Sequence, residues 1–393
     1  MLVGHNLIYF APENWDGLWR NRQQLMSIFA RHNKVLFVEG RAHLRSTLAD
    51  FRRGGIRVSD LRARVRQVSK NLFVFRFPVW APISGRFPLK QITRTARQLS
   101  FQKVLRELQM SRPIVWLSRP SMMDVMDDLP SARLFIYHVV DEYAAYGTKT
   151  AESRYRIEKQ EKEMLGQVDM VITVSKKLQE TKRPFNPNTF LVPNGVNYQA
   201  YTAALADPCL PDDLRAIKPP RLGYSGLIGD KLDLDLLKEL AQAHPEWSLV
   251  LLGEVKGSHK AATWRELRAL PNVHHLGPVE IAQVPHYVKG FQVGLMPYAQ
   301  TRHSEHISPL KLYDYLAAGL PVVSMDIPAA REFGEFIHLA DTPQNFIEAV
   351  QAALVEVSVE RCQARRNIAS QHSWEARAEQ LSALIQTQLV ERV

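Results

Sequence analysis

Apolar and polar positions follow two rhythms along the chain, and the two take turns. Short apolar runs at 6–12 (NLIYFAP), 34–40 (KVLFVEG), 71–78 (NLFVFRFP), 113–118 (PIVWLS), 133–140 (RLFIYHVV), 170–175 (MVITVS) and 189–195 (TFLVPNG) read as strands. The stretch at 20–32 (RNRQQLMSIFARH) reads as a helix between the first two. Strand, helix and strand in that order predict βαβ units on a parallel sheet. The pattern restarts at 221–229 (RLGYSGLIG), a strand running into a glycine-bearing loop, followed by a helix at 233–244 (DLDLLKELAQAH). Further strands are expected at 247–254, 273–279, 293–299 and 321–326, with a helix within 309–318 and helix throughout from about 343 to 391.

Between the two series, 207–220 (DPCLPDDLRAIKPP) is rich in proline and polar residues, as a linker is. The expectation is an α/β protein of two Rossmann-like parallel-sheet domains, 1–206 and 221–370. Residues 371–393 form a last helix with the option of packing back on the first domain. Two such domains make a cleft, and ligands settle beyond the carboxyl ends of parallel strands. No internal repeat or low-complexity tract interrupts the pattern.

Composition fits this size class: 393 residues, 46% hydrophobic and 23% charged, are enough for two cores. The net charge of +10 is unevenly spread. Residues 1–200 hold 32 basic and 17 acidic side chains, and residues 201–393 hold 18 and 23. Within 41–120 the ratio is 18 to 3, so that region points to an anionic partner, either lipid headgroups or a polyanion such as nucleic acid. A solvated basic surface is the plainer alternative. Only Cys209 and Cys362 are present, without other ligands at metal spacing, so neither a disulfide scaffold nor a zinc site is expected and a cytoplasmic setting is the default. The opening MLVGHNLIYFAPENW lacks a basic segment leading into a long apolar one, and no window has the length of a membrane span. Peripheral attachment to the inner face of the membrane stays open.

The stretch HISPLKLYDYLAAGLPVVS at 306–324 carries the most chemistry. Ser308 fits an N-cap, Pro309 the first helical position, and Gly319 with Pro321 the stop. A helix start offers unpaired N–H groups and a positive dipole end, which suit a diphosphate. The same grammar also serves an ordinary capped helix with Lys311 and Asp314 in solvent.

Taken in order, LVPNGVN, GYSGLIGDKLDLDLLKELA, WSLVLLGE, VHHLGPV, VGLMPYA and SPLKLYDYLAAGLPVVSMDIPAARE resemble the retaining nucleotide-sugar glycosyltransferases of GT-B architecture, in the class that holds many bacterial surface-polysaccharide enzymes. The resemblance runs from about 167 to 333 and less sharply through 5–40. It implies a nucleoside diphosphate sugar (UDP-, GDP- or dTDP-linked) as donor, bound mainly by the second domain, and a saccharide or lipid-linked acceptor on the first. It implies no metal and no further cofactor.

On the donor side Asp314 takes the place of the family's second acidic residue, which accepts hydrogen bonds from the ribose hydroxyls. His306 stands where the first acidic residue normally faces the donor sugar. Ile307, Ser308, Pro309 and Leu310 border the phosphates, with the Leu310 amide as the foremost contact. The family's basic pair after the first strand of this domain is reduced to Lys231, with Leu227 in the Arg position and Lys311 or Arg302 as replacements. Gly226 and Gly229 allow close backbone approach, Glu254 and Arg331 end neighbouring strands, and Asn194-Gly195 matches the family's turn at the domain junction.

On the acceptor side the resemblance implies Asn14, Trp15, Asp16, Gly17 and Arg22 in the loop PENWDGLWRNR, with His138 or Asp141 in the catalytic position and Glu142 capping or in solvent. Departure of the diphosphate is then assisted by the helix start and nearby basic groups. Two other functions are weighed: a binding protein of the same fold without turnover, suggested by His306 and Leu227, and a nucleic-acid binder. The chain has no recognisable reading helix, RNA-binding sheet motif or zinc finger, so nucleic acid is not expected as a partner.

Overall fold

The computed structural model describes residues 1–17, 19–41, 52, 63–83, 88–143, 150–257, 260–301 and 304–391. Arg302 and most of the basic run at 51–70 lie outside the described residues. The chain divides into two compact units, Met1–Val192 together with Arg377–Val393, and Pro193–Ala376.

In the first unit the strands β1 (Asn6–Phe10), β2 (Lys34–Val38), β3 (Arg64–Ser69), β4 (Leu72–Arg76), β5 (Ile114–Leu117), β6 (Leu134–Val139), β7 (Met170–Thr173) and β8 (Thr189–Leu191) form one sheet in the order β3-β4-β2-β1-β5-β6-β7-β8. All neighbours are parallel except β3 and β4. Alternate residues such as Ile8 and Phe10, Leu36 and Val38, or Val115 and Leu117 point to one face. There they meet Phe101, Val104 and Leu105 of the Leu89–Glu107 helix in a single core. The strand β3 escaped the sequence reading because RVRQVS is exposed at every position and its arginines read as a basic surface. Charge along an exposed edge is what keeps such a strand from pairing further.

In the second unit β9 (Arg221–Ser225), β10 (Ser248–Leu252), β11 (Val273–Gly277), β12 (Val293–Met296), β13 (Val322–Met325) and β14 (His338–Ala340) are all parallel, in the order β11-β10-β9-β12-β13-β14. This is the doubly wound order, and it reverses at β9, between β10 and β12. Gly223 and Gly294 pair side by side across β9 and β12. A Cβ on Gly294 would overlap the ring of Tyr315, so the missing side chain lets the Leu310–Ala318 helix lie close on the sheet at the reversal. The three-residue β14 is too short to show a period.

Residues 193–206, expected in the first domain, group with the second unit. The cause is packing: the Tyr198–Ala206 helix buries Tyr201, which joins Val196 in the second core. The final helix, Trp374–Val390, begins in the second unit and from Arg377 groups with the first. There Gln380 Nε2 donates to Leu191 O at 3.2 Å.

Candidate functional site

Order reversal in a parallel sheet leaves a crevice at the carboxyl ends of the two diverging strands. In the second unit those ends are Ser225-Gly226 after β9 and Pro297-Tyr298 after β12. The Leu310–Ala318 helix follows β12 and lies over it, anchored by Tyr315, whose hydroxyl accepts from Ser225 N at 2.9 Å. Lys311, in the first turn of that helix, sends its ammonium into the same corner. Its Nζ donates to the Tyr298 hydroxyl at 2.9 Å and sits 4.8 Å from the Tyr224 ring centre and 5.1 Å from that of Tyr298. Burial pushes both phenols well above their ordinary value, so they stay neutral, and their ring faces attract a cation. Lys311 is therefore a cation held by two neutral phenol rings, not the solvent-facing end of a surface ion pair.

Gly226 is the residue that permits this. Its φ of +135° suits glycine alone, and a Cβ there would lie 3.3 Å from Lys311 Cε and Nζ. Gly253, at the end of β10, also has positive φ, and a Cβ on it would overlap the Gly226 carbonyl. Gly226 N donates to Leu252 O at 2.8 Å, which fixes the turn. Tyr224, Tyr298 and Gly253 were not singled out from the sequence. The signal was the aromatic residue near the end of each strand that flanks the reversal, readable only once the strand order is known.

The helix starts one residue later than expected. Pro309 is the N-cap, with φ −74° and ψ 116°, and no side chain caps the first turn. Ser308 does not cap because it is engaged elsewhere: its Oγ accepts from Asn194 N at 3.3 Å and its carbonyl from Asn194 Nδ2 at 2.7 Å. Thus Asn194 holds the segment entering the helix, while Gly195 fits tightly against the backbone at 372–374, where a Cβ would come within 2.8 Å of His372 O. Ile307 is buried in the second core, and His306 is 5% exposed.

Asp314, one turn on, is half-buried, and burial lifts its carboxyl from the ordinary 3.8 to about 7. The Tyr201 hydroxyl, buried without a bond of ordinary geometry, and the charge of Lys311 pull the other way. A carboxyl held near neutrality beside a cation is costly to keep for structure alone.

The remaining donor-side residues are placed as follows. Lys231 is exposed, and its backbone belongs to the same corner, with its carbonyl accepting from Ala299 N at 3.0 Å. Gly229 answers a packing need, since a Cβ there would overlap the Lys256 carbonyl. Glu254 pairs with Lys256 at 2.8 Å, both more than half exposed. Arg331 grips Asp326 through two bonds of 2.6 and 2.9 Å. Leu227 is partly exposed at 37%.

In the first unit the order reverses at β1, between β2 and β5, so the loop after β1 lies at the corresponding place. Trp15 in this loop is 4% exposed and packs edge-on to Phe37 at 4.9 Å and to Trp19 at 5.7 Å. It supports the loop by packing. Arg22 is likewise buried, bonded to Glu13, whereas Asn14, Asp16 and Gly17 are exposed and Asp16 pairs with Arg66 of β3. His138 lies inside β6 at 3% exposure, where burial and the nearby Arg22 charge lower its pKa to about 4. It is neutral at any ordinary pH. Asp141 follows the strand end and is half-buried.

Glu142 departs from expectation. It is neither a cap nor in solvent but buried, bonded at 2.8 Å to Lys182 Nζ, which also binds Glu161 at 2.8 Å. Tyr137 completes the group by donating to Glu161 Oε1 at 2.8 Å. Among the described residues no group of three or more His, Cys, Asp or Glu stands together as a cation site.

Residues 221–356, which cover the second sheet, match the family described as Glycosyl transferases group 1. A Bacillus subtilis (strain 168) protein named "Putative teichuronic acid biosynthesis glycosyltransferase TuaH" is 35% identical over 193 residues, 47% of this chain and 47% of that protein. The chain thus matches about half the length of this curated relative. Anabaena HepE, solved in complex with UDP and glucose, superimposes with a TM-score of 0.66 at 13% identity, covering 98% of this chain and 100% of that one. Sucrose-phosphate synthase from Thermosynechococcus elongatus gives 0.67 at 16% identity over 98% and 100%. These two likenesses establish the fold, a GT-B-like architecture of two Rossmann-like domains.

Proposed function

We propose that the chain transfers a glycosyl group from a nucleoside diphosphate sugar to a saccharide or lipid-linked acceptor, with the anomeric configuration retained, in the synthesis of a cell-surface glycan or glycolipid. The observation that carries this reading is the Lys311 ammonium, held between Tyr224 and Tyr298 at the uncapped start of a helix, at the reversal point of the second sheet. A diphosphate placed there meets the amides of Leu310 and Lys311, the dipole end and a fixed cation. Lys311 supplies the charge absent at Leu227. Ionised Asp314 accepts from the ribose hydroxyls. The match of 221–356 to group 1 glycosyl transferases, and the UDP and glucose held by the Anabaena structure, support the same choice.

In the transfer, the bond from the sugar's anomeric carbon to the diphosphate oxygen breaks and a bond to the acceptor oxygen forms on the same face. The acceptor's proton passes to the departing phosphate oxygen. The helix start and Lys311 stabilise charge as it develops on that oxygen. On the acceptor side the exposed loop residues Asn14, Asp16 and Gly17 and the half-buried Asp141 are the groups we assign to the acceptor. His138, buried and neutral, is a poorer candidate for the catalytic position. We place the reaction at the cytoplasmic face of the membrane, with the protein peripheral to it.

The buried His306 in place of an acidic residue favours one second reading, a binding protein that holds the donor without turning it over. A thermal-shift and transfer screen over UDP-, GDP- and dTDP-sugars, with lipid and saccharide acceptors, separates the two. Donor-dependent transfer supports the enzyme, tight donor binding without transfer or hydrolysis supports the binding protein, and no response to any donor rejects both.

A further inference from the structure

The Leu89–Glu107 helix of the first unit turns one face to the core through Thr93, Arg97, Phe101, Val104 and Leu105. Its opposite face is not polar. Leu89, Ile92 and Leu99 stand there at 37%, 60% and 66% exposure. With Ala96 they recur at helical spacing along one line, which Lys103 and Arg106 extend toward the carboxyl end. The acidic residues nearby are taken up: Asp127 and Asp128 hold Arg94 at 3.1 and 3.3 Å, and Glu107 lies 3.8 Å from Lys103.

We propose that this helix face is a docking surface for an anionic lipid bilayer, with Leu89, Ile92 and Leu99 in the headgroup–acyl boundary and Lys103 and Arg106 against the phosphates. Two considerations select a bilayer over a second copy of the chain. The three large side chains expose on the order of 300 Å² of apolar surface, far below the roughly 800 Å² per partner that a stable protein interface buries. A bilayer needs no matching surface, only an apolar strip flanked by cations. The charge of the surrounding sequence, 18 basic against 3 acidic residues in 41–120, is of the sign that anionic headgroups attract and a second copy of the same surface repels.

Vesicle flotation with the full chain tests this. Wild-type protein should float with phosphatidylcholine vesicles containing phosphatidylglycerol and not with phosphatidylcholine alone. The double variant Ile92→Ser/Leu99→Ser should partition about tenfold more weakly or less, with unchanged melting temperature because both positions are exposed. Lys103→Ala/Arg106→Ala should weaken binding in low salt. Equal flotation by wild type and the Ile92/Leu99 variant overturns the proposal. So does a concentration-dependent dimer that this variant abolishes, or binding to a soluble polyanion that survives the loss of the apolar pair. Nucleotide-sugar binding measured on the same samples reports on the second unit alone, so the docking surface and the donor site fail independently.

Discussion

Replacing Asp314 by asparagine separates the cost of its buried charge from its use. The folded chain holds this carboxyl at about 7 against 3.8 ordinarily. Between those values the folded state keeps a proton that the unfolded chain has released, so stability falls as pH rises from about 4 to about 7 and is flat above. Three units at about 1.4 kcal/mol each set an upper bound of roughly 4 kcal/mol on the loss. Asparagine has the same shape and no charge. Denaturant unfolding of Asp314→Asn and wild type at a series of pH values should therefore give a stability difference that grows in favour of the variant up to about pH 7 and then levels. Groups elsewhere cancel in the difference. Donor binding should move the opposite way: wild-type affinity rises through pH 7 as the carboxylate forms to accept the ribose hydroxyls, while the variant binds weakly with no pH slope. A difference in stability that does not vary with pH refutes the buried-charge reasoning, and unchanged donor affinity in the variant removes the ribose contact.

Three further outcomes are expected. Lys182→Met leaves Glu142 and Glu161 buried without their shared cation and should destabilise the first unit by about 3–5 kcal/mol, read by denaturant unfolding, with donor binding intact. Asn194→Ala loses the side-chain bond from Nδ2 to the Ser308 carbonyl, keeps the backbone bond to Ser308 Oγ, and loosens the segment entering the Leu310–Ala318 helix. Donor affinity should fall by about 1–2 kcal/mol in calorimetry, more than global stability changes. His138, at about 4 in the fold against 6.5 ordinarily, destabilises the protein as pH falls from 6.5 toward 4, by roughly 3 kcal/mol in full. His138→Gln should remove that part of the acid sensitivity in a melting series.

The sheets were legible because parallel strands covered on both faces are written as unbroken apolar runs such as VLFV and LVLL, each bounded by turn residues. What was not legible was set by tertiary position. The strand Arg64–Ser69 carries an edge's charges, and the His338–Ala340 strand has too few residues for a period. The boundary at 206 followed proline content, whereas Tyr201 drew its helix into the second core. In the site, Lys311 and Asp314 could be named from their spacing and the family resemblance, but the partners that define their state could not. Tyr224, Tyr298 and Tyr201 come from separate segments and meet only through the strand order. Ser308 fitted a capping rule that Asn194, 114 positions away, overrides. Trp15 could equally serve a ligand or a core, and only burial decides between them.

The most direct measurement is titration calorimetry of Lys311→Met with the nucleoside diphosphate that wild type binds and with the corresponding nucleoside. Methionine keeps the packing between the two rings and removes the charge. Loss of a charge-assisted contact of about 1.5–3 kcal/mol should weaken the diphosphate roughly ten- to hundredfold and leave the nucleoside nearly unchanged. Equal affinity of wild type and variant for the diphosphate would contradict a donor site built on this cation.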